Sequence, residues 1–196
     1  MPNTPSPDEP IVTIHGELVT LGPLVRDLVP TLTRWMNDLS GLRTLGPIPP
    51  RPMTVEAETA WFESIASSDD IVFLIREWTS GDPIGTASLS HIDFRNRSAM
   101  FGIYIGEATA RGKGYGSETT RLTLDYAFTL LGLNSVRLGV AAFNPAGIRA
   151  YQKAGFRECG RYREHWWHDG ILWDEILMDC LAREFNATDA EASPVG

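Results

Sequence analysis

The residues with the clearest chemical potential are six consecutive positions in which glycine alternates with other residue types, Arg111-Gly112-Lys113-Gly114-Tyr115-Gly116. Glycine lets the backbone approach a ligand closely, and the amides at a helix N-terminus bind phosphate oxygens. A dinucleotide-binding fingerprint needs glycine at its first, third and sixth positions, and a Walker A loop needs Ser or Thr after its lysine. Neither pattern is present, because Gly114 follows Lys113 and the glycines occupy the second, fourth and sixth positions. The hexapeptide therefore predicts a phosphate-binding loop of another kind.

A second group of distinctive residues follows this loop along the chain. The strand-like segment Arg137-Leu138-Gly139-Val140 precedes Asn144-Pro145, and the helix that this pair begins carries Tyr151 and ends at Gly155-Phe156. Asn at the N-cap, Pro in the first turn and Gly just beyond the last turn are typical of a short helix. Helical spacing puts Tyr151 on the face of Gly147, where a small residue leaves room for a ligand. Core packing is the alternative interpretation of this tyrosine.

Together the two groups resemble the cofactor half of the GNAT family of N-acetyltransferases. In that family Arg or Gln, two variable positions, Gly, one variable position, and Gly or Ala cradle the pyrophosphate of acetyl-CoA. Arg111, Gly114 and Gly116 match this pattern. The family continues with a strand, an Asn-led helix that carries a Tyr, and a Gly-Phe pair, as residues 137–156 do here. The resemblance covers nearly all of the predicted globular part.

Within the family, the sequence is most similar to the group that contains the ribosomal-protein alanine N-acetyltransferases and the spermidine N-acetyltransferases. The segments that carry this similarity are Trp35-Met36-Asn37, Gly106-Glu107, Leu124-Asp125-Tyr126-Ala127-Phe128 and Trp173-Asp174-Glu175. Related enzymes acetylate antibiotics or other small amines. The resemblance thus leaves the acceptor open among a protein N-terminus, a polyamine and another amine-bearing small molecule.

The resemblance also implies a fold and a set of site residues. The fold is expected to belong to the α+β class, with a central mixed, mostly antiparallel sheet of about seven strands and helices on both faces. The thioester is expected where the strands at residues 99–105 and 136–141 splay apart, and Tyr151 is expected to protonate the departing thiolate. The expected contacts to acetyl-CoA are the backbone of Ile103 and Ile105, the loop residues Arg111, Gly112, Lys113, Gly114, Tyr115 and Gly116, and the side chain of Asn144.

The general base that takes a proton from the amine is sought in the hairpin before the loop. If Asn96-Arg97 is the centre of this hairpin, His91 lies opposite Gly102, beside the expected thioester site. His91 is therefore the predicted base. Asp93, on the same face, and Glu107, after the next strand, are alternatives. A surface or sheet polar group is the ordinary role of such a histidine, and the amine can also arrive deprotonated.

The elements that must position these residues follow from hydrophobic periodicity and turn signals. The sequence predicts an antiparallel meander over residues 71–105. It predicts strands at 18–21, 71–75, 84–92, 99–105, 136–141, 156–163 and 172–181, and helices at 24–39 (kinked or divided at Pro30), 55–66, 116–131 and 145–154.

Length and composition bound the class of protein. With 196 residues, 43% of them hydrophobic, the chain is expected to form one domain over residues 11–185, between flexible segments at 1–10 and 186–196. Two cysteines are too few for a disulfide scaffold, so a reducing, cytoplasmic location is expected. No apolar run is long enough to span a bilayer. No metal is expected, because His165 and His168 lack further ligands at a suitable spacing.

The net charge of −8 is unevenly distributed along the chain. Residues 107–163 contain nine basic and four acidic residues, whereas residues 11–70 and 164–185 are net acidic. This pattern favours a polyanionic cofactor beside a cationic primary amine, with scattered solvated charge as the alternative. It argues against nucleic acid and an anionic membrane as partners. A homodimer is left open.

The predicted function is acetyl-CoA-dependent transfer of an acetyl group to a primary amine by direct attack. An aromatic wall for a cationic amine is predicted from Trp35, Trp166, Trp167 and Trp173, although core and hairpin packing is the ordinary role of each. Two alternatives are compatible with the sequence. One is a non-catalytic CoA-binding regulatory or peptide-binding module on the same fold, and the other is transfer of a different acyl group such as succinyl.

Overall fold

The computed structural model describes residues 10–46 and 51–185, along which strands and helices alternate. The strands are β1 (Ile14–His15), β2 (Val19–Pro23), β3 (Ile71–Glu77), β4 (Pro83–Asp93), β5 (Ser98–Tyr104), β6 (Ser135–Ala141), β7 (Arg157–His168) and β8 (Ile171–Leu181). The helices are α1 (Val29–Trp35), α2 (Leu39–Leu42), α3 (Val55–Ile65), α4 (Tyr115–Asp125) and α5 (Pro145–Ala154). Short 3-10 turns at Arg26–Leu28 and Ala108–Ala110 precede α1 and α4, and a π-helical turn at Tyr126–Leu130 continues α4. None of these helices has the length and apolarity that crossing a membrane requires.

The strands form one eight-stranded sheet in the order β1-β2-β3-β4-β5-β6-β8-β7. Neighbouring strands are antiparallel except β5 and β6, which are parallel. The predicted α+β class and the mixed, mostly antiparallel sheet are thus confirmed. The strand beyond the predicted seven is the two-residue β1, which is too short to produce a hydrophobic period.

The two faces of the sheet carry different clusters of buried side chains. On one face, the main core includes Phe101 of β5, Leu124 of α4 and Phe156 after α5. On the other face, Tyr104 of β5 packs with Leu32, Trp35 and Leu42 from α1 and α2. Because side chains alternate along a strand, β5 contributes to both clusters and connects the two halves of the molecule.

Local capping fixes the helix that carries Tyr151. The Asn144 Oδ1 accepts a hydrogen bond from the Gly147 amide at 2.9 Å, and Gly155 ends the helix with φ 109°. Both ends therefore agree with the sequence prediction. The predicted kink or division of a helix at Pro30 differs from the structure. Pro30 lies in the first turn of α1, where a missing amide costs no hydrogen bond.

Candidate active site

The central feature of the site is a gap between the parallel strands β5 and β6. The two strands pair only where Ser98–Met100 faces Ser135–Arg137. Beyond this point β5 stays paired with β4 as far as Tyr104, while β6 stays paired with β8 as far as Ala141. The backbone of residues 102–104 is therefore not hydrogen-bonded to β6, and it is available to a ligand that enters the gap. The predicted splay is confirmed.

A cavity of about 640 Å³ opens at this gap. Its wall combines residues from both faces of the sheet and from α1, α3 and α5. Its wall includes Trp35, Arg51, Glu58, Trp61, Gly102, Ile103, Leu138, Gly139, Tyr151, Trp166 and Glu175. The cavity thus joins the side of α5 to the side of α1 and α3 through the sheet.

The predicted phosphate-binding loop has the backbone that such a loop needs. Gly112 and Gly114 have φ angles of 78° and 91°, which L side chains rarely adopt. Gly114 is the N-cap of α4, and its carbonyl accepts hydrogen bonds from the amides of Ser117 and Glu118. No side chain of the described residues caps this helix end. The amides at its first turn are therefore suited to an anion such as pyrophosphate.

The Arg111 side chain bonds to protein groups outside the loop. Its guanidinium donates hydrogen bonds to the carbonyls of Ile105 at 2.9 Å and Gly106 at 3.0 Å, and to the Asp38 carboxylate at 2.8 Å. Hydrogen bonds from Ser40 and Arg111 lower the pKa of Asp38 to about 2. The Arg111 side chain therefore joins the start of the loop to α2.

Two other loop side chains also have protein partners. Tyr115 is buried, and its hydroxyl donates a hydrogen bond to the Glu77 carboxylate on β3. This contact lowers the pKa of Glu77 and raises that of Tyr115. Lys113 is exposed, and its charge also lowers the pKa of Glu77. Tyr115 can thus meet a ligand through its backbone, whereas the Lys113 ammonium is open to solvent.

Tyr151 lies on α5 at the gap, as its helical position predicts. Its ring contacts Phe101 and Phe156 edge-on, with ring centroids 6.3 and 6.0 Å away. Burial raises the pKa of Tyr151 to about 12. The hydroxyl is therefore protonated at neutral pH and able to donate a proton into the cavity that it lines.

The predicted position of His91 is wrong. Gly102 pairs with Ser88, and His91 lies in a β-bulge between Ser90 and Asp93, with φ 51°. Its backbone amide donates a hydrogen bond to the Asp70 carboxylate at 3.3 Å. Its ring nitrogen Nδ1 lies 3.2 Å from the Ser90 hydroxyl, and its side chain is exposed. Asp93 pairs with Ser98, so the turn is centred between Arg95 and Asn96 rather than between Asn96 and Arg97, and the bulge adds one further residue to β4. Together these differences move His91 out of register with Gly102. The geometric reason for choosing His91 as the base is therefore lost.

The two alternative carboxylates are already engaged in other contacts. Asp93 accepts hydrogen bonds from the backbone and side-chain nitrogens of Asn96, which lower its pKa. Glu107 pairs with Arg34 at 2.9 Å, and this pair lowers the pKa of Glu107. Both carboxylates stabilise turns or helix contacts away from the cavity wall.

Two carboxylates that the sequence analysis did not select lie in the cavity wall. Glu58, on α3, is only 5% exposed, and burial raises its pKa. Glu175, on β8, has its Oε1 where a side chain at position 139 would begin, 2.5 Å from an ideal Cβ on Gly139. The sequence indicates only that Glu58 is an acid in the first turn of a predicted helix. It indicates only that Glu175 belongs to a segment that resembles the family.

The predicted aromatic wall is present in part. Trp35 and Trp166 line the cavity, together with Trp61, which the sequence analysis did not include. Trp173 packs against Phe143 with ring centroids 5.8 Å apart, and Trp167 is 71% exposed. The wall therefore differs in membership from the prediction.

The β7–β8 hairpin is fastened to α2 beside this wall. The guanidinium of Arg43, at the end of α2, pairs with Asp169 and lies 3.0 Å from the His168 Nε2. His168 also stacks on Phe143, with ring centroids 4.1 Å apart. His165 instead lies 3.6 Å from Glu175, so the two histidines have different partners.

Known proteins resemble this chain in sequence and in structure. A spermidine N(1)-acetyltransferase from Vibrio cholerae serotype O1 is 37% identical over 102 residues, which are 52% of this chain and 58% of the relative. The chain thus matches little more than half the length of that protein. A probable N-acetyltransferase, YjcK, from Bacillus subtilis is 31% identical over 132 residues, which are 65% of this chain and 73% of the relative.

A crystal structure of spermidine N-acetyltransferase from Vibrio cholerae, in complex with CoA and spermine, has a TM-score of 0.78 and 26% identity. The match covers 87% of this chain and 99% of that one. The family model described as Acetyltransferase (GNAT) domain matches residues 19–157, from β2 through the gap and Tyr151 to the start of β7. The chain therefore belongs to the GNAT family of acetyltransferases and is an acyltransferase.

Proposed function

We propose that the protein transfers the acetyl group of acetyl-CoA to a small cationic amine of the polyamine class. The observation that carries this proposal is the composition of one cavity. Tyr151 lines it from α5, Glu58 lines it from α3, and Glu175 lines it from β8. The likeness to a spermidine N-acetyltransferase supports the same acceptor class.

The acyl donor fits the residues around the gap. When bound, acetyl-CoA supplies an electrophilic thioester. The loop from Arg111 to Gly116 would hold the pyrophosphate through backbone amides, and Ile103 and Ile105 would hold the pantetheine arm through backbone groups. Asn144 uses its Oδ1 to cap α5, so its amide nitrogen is the part of the side chain left for a contact.

Tyr151 would act as the general acid in direct transfer. The amine nitrogen attacks the thioester carbonyl, the carbon–sulfur bond breaks, and the Tyr151 hydroxyl protonates the departing sulfur. Because burial raises the pKa of Tyr151 to about 12, the hydroxyl is protonated at neutral pH and is present as a proton donor when negative charge develops on the sulfur.

Glu58 would bind a positive charge of the acceptor distant from the reacting nitrogen. A carboxylate that is 5% exposed is costly to keep ionised, and a bound ammonium would offset that cost. A molecule with two or more amines can place one ammonium at Glu58 and another amine at the gap. A monoamine can satisfy only one of these positions.

The experiment is thiol release from acetyl-CoA with spermidine, a monoamine of similar length and an alanine-terminated peptide. We expect spermidine to give the highest kcat/KM. A higher kcat/KM with the peptide than with spermidine would contradict the polyamine class and identify a protein N-terminus as the acceptor. Preferential use of succinyl-CoA would contradict the assignment of acetyl as the transferred group. Binding of acetyl-CoA without transfer to any amine would instead support a non-catalytic CoA-binding module.

Glu58→Gln tests the acceptor contact directly. We expect the KM for spermidine to rise by about 10- to 100-fold, because a charged hydrogen bond is lost, while the dissociation constant of acetyl-CoA stays unchanged. Glu56→Gln is the matched control, since Glu56 is an exposed acid in the same helical turn. Equal KM values for the two variants would remove Glu58 from the acceptor site.

A further inference from the structure

We propose that Glu175 is the general base of the reaction and that Gly139 exists in β6 to make room for its carboxylate. This assignment rests on the proposed acetyl transfer to an amine. It replaces His91, which lies in a bulge of β4.

The register of β6 and β8 brings the Glu175 carboxylate to the gap. Glu175 pairs with Ala141, and Leu177 pairs with Gly139, so the Glu175 side chain reaches back along β6. An ideal Cβ at position 139 would lie 2.5 Å from Oε1 and 2.8 Å from Cδ of Glu175. Any side chain at this position would therefore displace the carboxylate. Gly139 and Glu175 line the cavity together.

Glu175 and Tyr151 reach the gap from opposite faces of the sheet. Tyr151 contacts Phe101, whose side chain belongs to the core on the α4 and α5 face. Leu138 is buried in that same core, so its neighbour Gly139 and the Glu175 carboxylate above it belong to the other face. A base on the acceptor side and an acid on the thioester side are the arrangement that direct transfer requires.

The Glu175 carboxylate has a path to solvent beside His165. The His165 Nε2 lies 3.6 Å from Glu175 Oε2, and the side chains of His165 and Glu175 are 49% and 15% exposed. A proton taken up by Glu175 can therefore leave to water at this exposed edge. The other titratable or charged groups that face Glu175 are Tyr162, its partner on β7, and Tyr151, Glu58 and Arg51 across the cavity.

The proton balance of the reaction is complete with these groups. Glu175 takes one proton from the ammonium and releases it to water. The resulting amine forms a bond to the carbonyl carbon. When the carbon–sulfur bond breaks, Tyr151 protonates the sulfur, and the second proton from the nitrogen restores the Tyr151 hydroxyl. One proton is released for each acetyl group transferred.

The test is the pH profile of spermidine acetylation by Glu175→Gln. At neutral pH we expect kcat/KM to fall by about 100-fold, while the acetyl-CoA dissociation constant, measured by calorimetry, stays unchanged. Between about pH 6 and about pH 9.5 the variant should recover activity with rising pH, because a larger fraction of the amine is already deprotonated and needs no base. Asp179→Asn, on the same face of β8, is the matched control and should keep the profile of the unaltered protein.

A second variant tests the geometry rather than the carboxylate. Gly139→Ala should lower kcat and leave acetyl-CoA affinity unchanged, because its Cβ displaces the Glu175 carboxylate. A Glu175→Gln pH profile equal to that of the unaltered protein, or full activity of Gly139→Ala, would overturn the assignment of Glu175 and leave the proposed function in place. Absence of thiol release by the unaltered protein with every amine would instead overturn the proposed function, and the assignment with it.

Discussion

Burial shifts the pKa of one acid on each side of the gap between β5 and β6. Tyr151 keeps its proton to a pH of about 12, and the pKa of Glu58 is raised above its ordinary value. The two shifts have the same physical cause, which is removal of the charged form from water. Their consequences differ, because in the proposed reaction Tyr151 would act in its neutral form and Glu58 in its charged form.

Tyr151→Phe should separate acid catalysis from ligand binding. We expect kcat to fall by about 100-fold with acetyl-CoA affinity unchanged, because the ring packing on Phe101 and Phe156 is kept. Steady-state kinetics and calorimetry measure the two effects. Tyr126→Phe, in the π-helical turn after α4, is the control. A Tyr151→Phe variant as fast as Tyr126→Phe would exclude Tyr151 as the acid.

Glu58→Gln should make the ligand-free protein more stable at neutral pH. A folded-state pKa above the unfolded value favours folding below the unfolded pKa, and this contribution is lost as the pH rises through the folded pKa. Ionised Glu58 therefore destabilises the fold at neutral pH, and glutamine removes that cost. Thermal unfolding should show a higher Tm for the variant at pH 7 and a smaller difference at acidic pH. A lower Tm at pH 7 would contradict this explanation.

At the scale of elements, the glycine loop before α4 is joined to α2. Arg111 joins the carbonyls that follow β5 to Asp38, the N-cap of α2. The loop, the end of β5 and the α1–α2 segment therefore form one unit. Movement of α2 would change both the acceptor side of the cavity and the start of the loop.

Asp38→Asn should weaken this unit. We expect the Tm to fall by about 2–4 °C, since a charged hydrogen-bond partner is lost, and the acetyl-CoA dissociation constant to rise. Because the pKa of Asp38 is lowered to about 2, its stabilisation is present above the ordinary pKa and is lost as the pH falls towards 2. The difference in Tm should thus shrink on acidification. Asp27→Asn, at an exposed acid before α1, is the control, and an equal loss in both variants would contradict the role of the Arg111 contact.

The parts of the site that the sequence predicted are those that local rules determine. The caps of α5 at Asn144 and Gly155 and the glycine pattern before α4 follow from neighbouring residues. The contacts of Arg111 with Asp38 and of Tyr115 with Glu77, which hold the loop, join distant parts of the chain and were not predicted. The register of β4 and β5 depends on a bulge at His91 and on a turn that Asp93 stabilises through Asn96, neither of which a symmetric hairpin predicts. Glu58 and Glu175 line one cavity only because the fold places α3 and β8 around it, and the spacing of the two residues in the chain does not predict this placement.

At the scale of the whole molecule, the net charge of −8 is distributed in a way that fits two ligands of opposite charge. The segment from residue 107 to residue 163 is net basic and contains the loop and Tyr151. The segments that contain Glu58 and Glu175 are net acidic. The same acidic segments supply Glu58 and Glu175 to the cavity wall. Their negative charge therefore predicts a cationic acceptor.

This distribution predicts a salt dependence of acceptor binding. Raising the ionic strength should increase the KM for spermidine more than the KM for a monoamine, because a molecule with several positive charges loses more attraction when charges are screened. Initial rates at low and high salt, with acetyl-CoA at saturation, measure the difference. Equal salt dependence for the two acceptors would show that the acidic segments do not act on the amine.

The most direct test of the central claim is a single incubation of the protein with acetyl-CoA and spermidine, analysed by mass spectrometry. Transfer through the gap between β5 and β6 predicts spermidine with one added acetyl group, in an amount equal to the thiol released. Thiol release without acetylated spermidine, or no change in either molecule after binding of acetyl-CoA, would contradict it.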